Sequence, residues 1–239
     1  MSISAIIPVY NEEGNVLPVY YELKEILQRL TDEYEIIFVD DGSQDATLSK
    51  LLSIKSKEPE LRIIKFSKNF GKSAALTAGF EHVKGESVIT LDGDGQDDPN
   101  NIPNLINALT EDSDVVCGWR VNRKDGFLKK LNSKIYNLLN RKINRNNIHD
   151  NNCMLRIYRK QVVSKLILPK GAHRYIPSIL AQKGFRVSEI EVTHRSRLTG
   201  LSNYGFKRLF SGFFDLFRFR SLDKTIKPVH IIEKKYGFE

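Results

Sequence analysis

The stretch Val88-Ile89-Thr90-Leu91-Asp92-Gly93-Asp94-Gly95-Gln96-Asp97-Asp98-Pro99 constrains the chain more than any other. A short apolar, β-branched run that stops in four carboxylates, two glycines and a proline reads as a buried strand emptying into a loop. Four acids within seven residues repel one another unless a cation sits among them. Oxygen donors of this kind suit a hard divalent ion, Mg²⁺ or Mn²⁺. Mg²⁺ is usually held by one or two carboxylates together with substrate phosphates. The stretch therefore predicts a metal–diphosphate site at the C-terminal end of a strand, where open α/β sheets place their ligands. A calcium loop of the EF-hand type does not fit, because Asp97 stands where its glycine is required and Pro103 where its terminal glutamate belongs. A solvated acidic turn is the plainer alternative.

Upstream, apolar runs and helical periodicity alternate. Residues 3–9, 34–39 and 61–66 read as strands, and 16–30, 46–54 and 73–82 as helices, with Leu23, Ile26, Leu27 and Leu30 at helical spacing in the first. Alternation on this scale predicts a parallel sheet wound in βαβ units. Three of the strands end in polar loops containing acids: Tyr10-Asn11-Glu12-Glu13, Asp40-Asp41-Gly42-Ser43-Gln44-Asp45 and the acidic stretch itself. Asn69-Phe70-Gly71-Lys72-Ser73 is not a P-loop, since Phe66 occupies the position of its first glycine. Lys72 can still reach a phosphate or a base from this loop, or be a surface lysine.

Charge divides the chain. Residues 1–119 hold 10 Lys and Arg against 21 Asp and Glu, and residues 120–239 hold 27 against 8. An acidic half followed by a basic half suits an anionic substrate held between a metal and cationic side chains, and the basic half also suits an anionic membrane surface or nucleic acid. A helix-like basic segment at 123–145 follows Arg120 directly, which makes phosphate binding as good a reading of it as a merely solvated face. Further on, a mixed strand and helix region at 152–168, a helix at 175–182 and a strand at 186–194 are expected, the last ending in His194-Arg195-Ser196-Arg197. At 204–220, Phe206, Leu209, Phe210, Phe213, Phe214 and Phe217 form an apolar stripe flanked by Lys207, Arg208, Arg218 and Arg220. Core packing is the usual fate of such a stripe, but its composition also describes a helix lying in a bilayer interface. Cys117 and Cys153 lack the spacing of a disulfide framework or a zinc site, and His149 with Cys153 has no second pair to support one. The N-terminus does not resemble a signal peptide, and no apolar run approaches the ~20 residues of a membrane span. The expected location is cytoplasmic, peripheral on the inner face of the membrane.

Taken together, several motifs resemble the family 2 glycosyltransferases of GT-A fold, in particular the branch that transfers sugar to polyprenyl or dolichyl phosphate. They are Pro8-Val9-Tyr10-Asn11-Glu12, Asp40-Asp41-Gly42-Ser43, Asn69-Phe70-Gly71-Lys72, the acidic stretch 92–99, Gly118-Trp119-Arg120, His173-Arg174-Tyr175-Ile176-Pro177, and His194-Arg195-Ser196-Arg197 with Gly200, Ser202 and Tyr204. The resemblance implies an α/β GT-A domain over residues 1–203, with a nucleotide-sugar half at 1–119 and an acceptor half at 120–203. An amphipathic juxtamembrane helix and tail at 204–239 would follow. It implies a nucleotide site of Pro8, Tyr10, Asn11, Glu12, Asp40, Asp41, Lys72, Asp92 and Gly93 for a UDP- or GDP-sugar. Asp94 and Gln96 would hold Mg²⁺ or Mn²⁺ on the donor diphosphate, Arg197 would meet that diphosphate, and Arg120, Lys129, Lys130 and Ser133 would receive the acceptor phosphate. Asp92, Asp94, Arg120 and Arg197 would thus carry an inverting displacement at the sugar anomeric carbon, with the metal neutralising the departing nucleoside diphosphate.

Two departures stand out. Asn203 occupies a position that is commonly Lys in the family, and many relatives continue past the amphipathic helix into two membrane-spanning helices. This chain instead ends in Lys234-Lys235-Tyr236-Gly237-Phe238-Glu239, so peripheral membrane binding, a membrane-protein partner and a shortened form all stay open, as does a homo-oligomer. Two other functions are weighed. One keeps the fold but transfers to a hydroxyl of a glycan or lipid, which needs a base, Asp97 or Asp98; a phosphate monoester, already anionic at neutral pH, needs none. The other is a non-catalytic basic module. Nucleic acid is not an expected partner, because no recognition motif is present and the acidic half opposes it.

Overall fold

The computed structural model describes residues 1–121, 148–195 and 230–238. Eight strands form one sheet. In chain order they are β1 (Ile3–Val9), β2 (Tyr34–Asp40), β3 (Leu61–Phe66), β4 (Ser87–Thr90), β5 (Val115–Trp119), β6 (Arg156–Arg159), β7 (Val187–Glu191) and β8 (Ile232–Tyr236). Across the sheet the order is β7-β5-β6-β4-β1-β2-β3-β8. The pairs β1/β2, β2/β3, β1/β4 and β5/β7 are parallel, while β6 runs antiparallel to β4 and β5, and β8 antiparallel to β3.

The first four strands are joined by helices α1 (Val16–Leu30), α2 (Thr47–Lys55) and α3 (Lys72–Glu81). These strands are buried on both faces, as parallel strands under crossover helices must be, and they read as continuous apolar runs. Side-chain alternation along the strands divides the core in two. On one side Ile3, Ala5, Ile7 and Val9 of β1 pack with Tyr20, Leu23 and Leu27 of α1, Leu51 and Ile54 of α2, and Ile102 and Leu105 of α4 (Ile102–Ala108). On the other, Ile6 of β1 and Val88 of β4 pack with Ala75, Leu76, Ala78 and Phe80 of α3 and with Ile176, Ile179 and Leu180 of α5 (Ile176–Gln182). Helix α3 lies flush on the sheet: a Cβ at Gly79 would come within 2.5 Å of Ile6 Cγ2. Its alanines are therefore a packing requirement.

Because α1 and α2 cover one face and α3 the other, the winding reverses between β1 and β4. The crevice outside the C-terminal ends of those two strands is the switch point at which sheets of this kind bind ligands. Pro8 fits this place. It pairs with Val39 of β2, but the β1/β4 register ends at Ile6 and Thr90, so its missing N–H leaves no gap on the β4 side.

The four expected strands and the three expected helices between them are present to within about a residue at each boundary. The sequence reading did not mark α4 or β5, and it assigned the last residues to a tail. That assignment is corrected here. Ile232–Tyr236 pairs with β3, Arg62 Nε donates to Gly237 O at 3.0 Å, and the Phe238 ring lies 3.7 Å below the Arg62 guanidinium. The basic segment at 123–145 and the phenylalanine stripe at 204–220 lie outside the described residues. No described helix is long and apolar enough to cross a membrane.

Candidate active site

The loops that follow β1, β2, β3, β4 and β5 all leave the same edge of the sheet. The β1 and β2 loops are tied together: Asn11, at φ +53, donates its backbone N–H to Ser43 Oγ at 3.0 Å and accepts from Gln44 N at 2.8 Å. Glu12 receives the Asn15 amide at 2.5 Å, and its own N–H goes to Thr47 Oγ1 at 2.9 Å. The two consecutive aspartates at the end of β2 do different work. Asp40 is fully buried. One oxygen accepts from Ser43 N at 2.9 Å, while Oδ2 has no hydrogen-bond partner among the described residues. Burial raises its pKa above the usual carboxylate value. An orphaned buried acceptor at the switch point has the capacity to take a donor group of a ligand.

Asp41, expected to touch the nucleotide, is occupied instead by the protein. Its two oxygens accept from the backbone N–H groups of Phe70 at 2.7 Å and Gly71 at 2.8 Å. Burial pushes its carboxyl up to about 6, against the pull of those N–H groups. The Asp41 carboxylate thus anchors the loop that opens α3. Directly after the two aspartates Gly42 is forced, with φ +75 and the Lys68 backbone where a Cβ would stand.

The anchored loop delivers Lys72, the first residue of α3, whose Nζ lies 2.6 Å from Asp92 Oδ1. Gly93 fits against β1, since a Cβ there would meet Val9 Cγ1 at 2.5 Å. Asp94 Oδ1 accepts from Gln96 N at 3.1 Å. Asp97 is buried beneath the loop and accepts from Asp92 N at 2.8 Å, and burial together with the Asp92 charge pushes it up to about 7. Asp98 goes the other way. Although burial opposes it, the Asn100 N–H and amide, the Thr193 hydroxyl and Arg195 hold its carboxyl below the ordinary range. Asp98 is thus tied into the loop through both of its oxygens.

The loop is closed by the segment that follows β7. His194 bridges to Asp97 and Arg195 N donates to Gln96 O at 3.0 Å, while the Arg195 side chain spans Glu22 and Asp98 at 2.5 Å each. Arg120, at the end of β5, donates from Nε and Nη2 to Asp150 Oδ2 and Oδ1 at 2.7 and 3.0 Å. The expected site residues therefore converge on one edge as far as Pro8, Tyr10, Asn11, Glu12, Asp40, Asp41, Lys72, Asp92, Gly93, Asp94, Gln96 and Arg120 are concerned. Lys129, Lys130, Ser133 and Arg197 lie outside the described residues, as does Asn203. The sequence reading missed Asp150, which is 30 residues from its partner and carries no spacing signal, and the Lys72–Asp92 pair.

The donor set suits a divalent metal completed by a diphosphate: carboxylates at Asp92 and Asp94 and an amide at Gln96, all hard oxygen ligands on one loop. Among the described residues no group of three His, Cys, Asp or Glu is placed to hold a metal by itself.

The family model for glycosyl transferase family 2 matches residues 4–167. The chain belongs to that family. It is 38% identical over 221 residues to a dodecaprenyl-phosphate galacturonate synthase of Rhizobium johnstonii, covering 90% of this chain and 65% of that protein. An undecaprenyl-phosphate 4-deoxy-4-formamido-L-arabinose transferase of Photorhabdus laumondii is 36% identical over 216 residues, covering 90% and 66%. The family 2 chain described here thus spans about two thirds of the length of these relatives. A crystal structure of glucosyl-3-phosphoglycerate synthase from Mycobacterium tuberculosis, in complex with Mn²⁺, UDP and phosphoglyceric acid, superposes with a TM-score of 0.70 at 17% identity, over 92% of this chain and 77% of that one. The architecture is that of the GT-A glycosyltransferases.

Proposed function

We propose that this chain transfers a sugar, with inversion, from a nucleoside-diphosphate sugar to a polyprenyl phosphate, using Mg²⁺ or Mn²⁺. The observation that carries the reading is the acidic loop 92–98 at the switch point, beside the unpartnered Asp40 oxygen and the Lys72 ammonium. Asp40 with Pro8, Tyr10 and Glu12 would receive the base and ribose, UDP being the nucleotide in the fold relative. Asp92, Asp94 and Gln96 would hold the metal, which when bound neutralises charge on the leaving diphosphate. Lys72 stands where it adds a cation to the same charge. Arg120 would receive the acceptor phosphate, with Lys129, Lys130 and Ser133 beside it and Arg197 on the donor diphosphate. The acceptor oxygen is anionic at neutral pH, so the reaction needs orientation and charge stabilisation from these residues and no base.

The two relatives are named for polyprenyl-phosphate acceptors, which supports this acceptor class. A location on the inner membrane face, with residues 204–220 lying in the bilayer interface, follows from the same reading. Asp97 favours one competing version, transfer to a hydroxyl, because a carboxyl held near 7 has the proton affinity of a general base. Its burial, with one oxygen engaged by Asp92 N, places it under the loop and away from an acceptor.

The test is nucleotide binding by calorimetry. UDP should bind more tightly with Mn²⁺ than without it, and Asp94→Asn should remove that difference while leaving metal-free affinity intact. Equal UDP affinity with and without metal in the parent chain would overturn the assignment. Release of nucleoside diphosphate in a donor screen with undecaprenyl phosphate then identifies the sugar.

A further inference from the structure

Arginine carries five N–H donors in a fixed plane, and the edge used for one anion decides which edge is left for another. Arg120 uses its side edge, Nε and Nη2, on Asp150, in a pair whose side chains are 10% and 3% exposed. The donors at the far end of the guanidinium make no hydrogen bond to any described residue. Asp150 is in turn held firmly. Its N–H donates to Glu189 Oε1 at 3.0 Å, the His149 N–H and ring Nδ1 reach Glu189 Oε2 at 2.7 and 2.9 Å, and Asp150 Oδ1 also accepts from Asn152 N at 3.1 Å. Glu189 sits on β7 opposite Cys117 of β5, so the brace is built on the same pair of strands that carries Arg120. At Gly118 the close approach is enforced: its N–H donates to Leu155 O at 2.9 Å, and a Cβ would meet Cys153 Sγ at 2.9 Å.

A second carboxylate competes for the same cation. Asp97 is near enough for the charges of Asp97 and Arg120 to shift one another. Released from Asp150, the guanidinium would be free to swing toward that second carboxylate.

We propose that Asp150, braced by Glu189, is a positioning residue that holds Arg120 side-on and aims its free end at the acceptor phosphate. The inference rests on the reading of Arg120 as the acceptor-phosphate residue. It opposes the simple electrostatic expectation, in which removing a carboxylate next to Arg120 tightens phosphate binding.

The chain supplies its own probe. Trp119 is its single tryptophan, adjacent to Arg120 and stacked on His149 with ring centroids 4.3 Å apart. Farnesyl phosphate, titrated against the whole chain in detergent while Trp119 fluorescence is followed, should bind, and farnesol should not. Asp150→Asn should weaken farnesyl phosphate about 10-fold, Arg120→Ala at least as much, and the double variant no more than Arg120→Ala alone, since the proposed effect of Asp150 on the phosphate runs through Arg120. Thermal unfolding monitors folding. If Asp150→Asn does not fold, Glu189→Gln replaces it in the same cycle with the same expected non-additivity. Unchanged or tighter binding by Asp150→Asn overturns the positioning role, as do losses that multiply in the double variant. Parent-like binding by Arg120→Ala overturns the acceptor reading itself, and the positioning role with it.

Discussion

Replacing Gly42 by alanine tests how the two aspartates at the end of β2 are kept apart. Gly42 has φ +75, and an alanine held there costs about 1–2 kcal/mol. Its Cβ would also stand 2.5 Å from Lys68 C, 2.7 Å from Lys68 Cα and 2.8 Å from Asn69 N. These are backbone atoms and have no rotamer into which to retreat, so the 68–71 loop must move, at a cost in the overpacking range of about 1–3 kcal/mol. The sum is about 2–5 kcal/mol. At about 2–4 °C per kcal/mol for a chain of this size, the melting temperature should fall by about 4–20 °C. Gly184, in the turn that ends α5, is the control, with φ +87 but open space around a Cβ, so Gly184→Ala should lose only the backbone part. Thermal unfolding of the two variants measures the contact as their difference. The moved loop should also loosen the Phe70 and Gly71 bonds to Asp41 and displace Lys72, weakening UDP binding in Mn²⁺. Equal melting temperatures for Gly42→Ala and Gly184→Ala would refute the clash, and with it this account of the motif.

Between about pH 4 and 7 the folded chain holds a proton on Asp97 that the unfolded chain has lost, so stability should fall as pH rises through that window. Urea unfolding of Asp97→Asn at several pH values should show a shallower fall, with Asp41, raised to about 6, leaving a residual slope below that pH. Arg62 is nearly buried in its pair with Glu35 and also holds His82 O and Gly237 O, so Arg62→Met should cost about 3–5 kcal/mol in urea unfolding; a loss under about 1 kcal/mol would contradict the network. If residues 204–220 lie in the bilayer interface, cosedimentation with anionic vesicles should weaken but persist at high salt, and a folded Phe213→Ser, Phe214→Ser double variant should pellet less at any salt.

The first half of the fold was legible because β1 to β4 are buried on both faces and each of the first three is followed by a helix that must cover it. Burial of that kind writes itself into continuous apolar runs. The acidic loop was legible for a different reason, since four crowded carboxylates demand a counter-charge wherever they are placed. What could not be read was pairing at a distance. Asp41 looks like a ligand residue beside Asp40, yet its oxygens are consumed by N–H groups 29 and 30 residues away. Arg120 looks like a free cation until Asp150 folds against it. Ile232-Glu233-Lys234-Lys235-Tyr236 carries no strand pattern at all, with charged residues at its three central positions. It is made a strand by the β3 edge and by Arg62, which grips Gly237 and Phe238 beyond it.

That last strand has a consequence for handling the protein. With β8 in place, the outermost ribbon of the sheet displays Glu233, Lys234 and Lys235, and lysine-rich edges discourage other chains from adding on. Behind it lies Leu61-Arg62-Ile63-Ile64-Lys65-Phe66, mostly apolar, with two β-branched isoleucines at its centre and a row of backbone donors and acceptors ready for a new neighbour. A variant trimmed before residue 230 would bare that row. Its molecules should zip together along β3 during expression, so the final ten residues guard solubility while lying on the far margin of the sheet from Arg120.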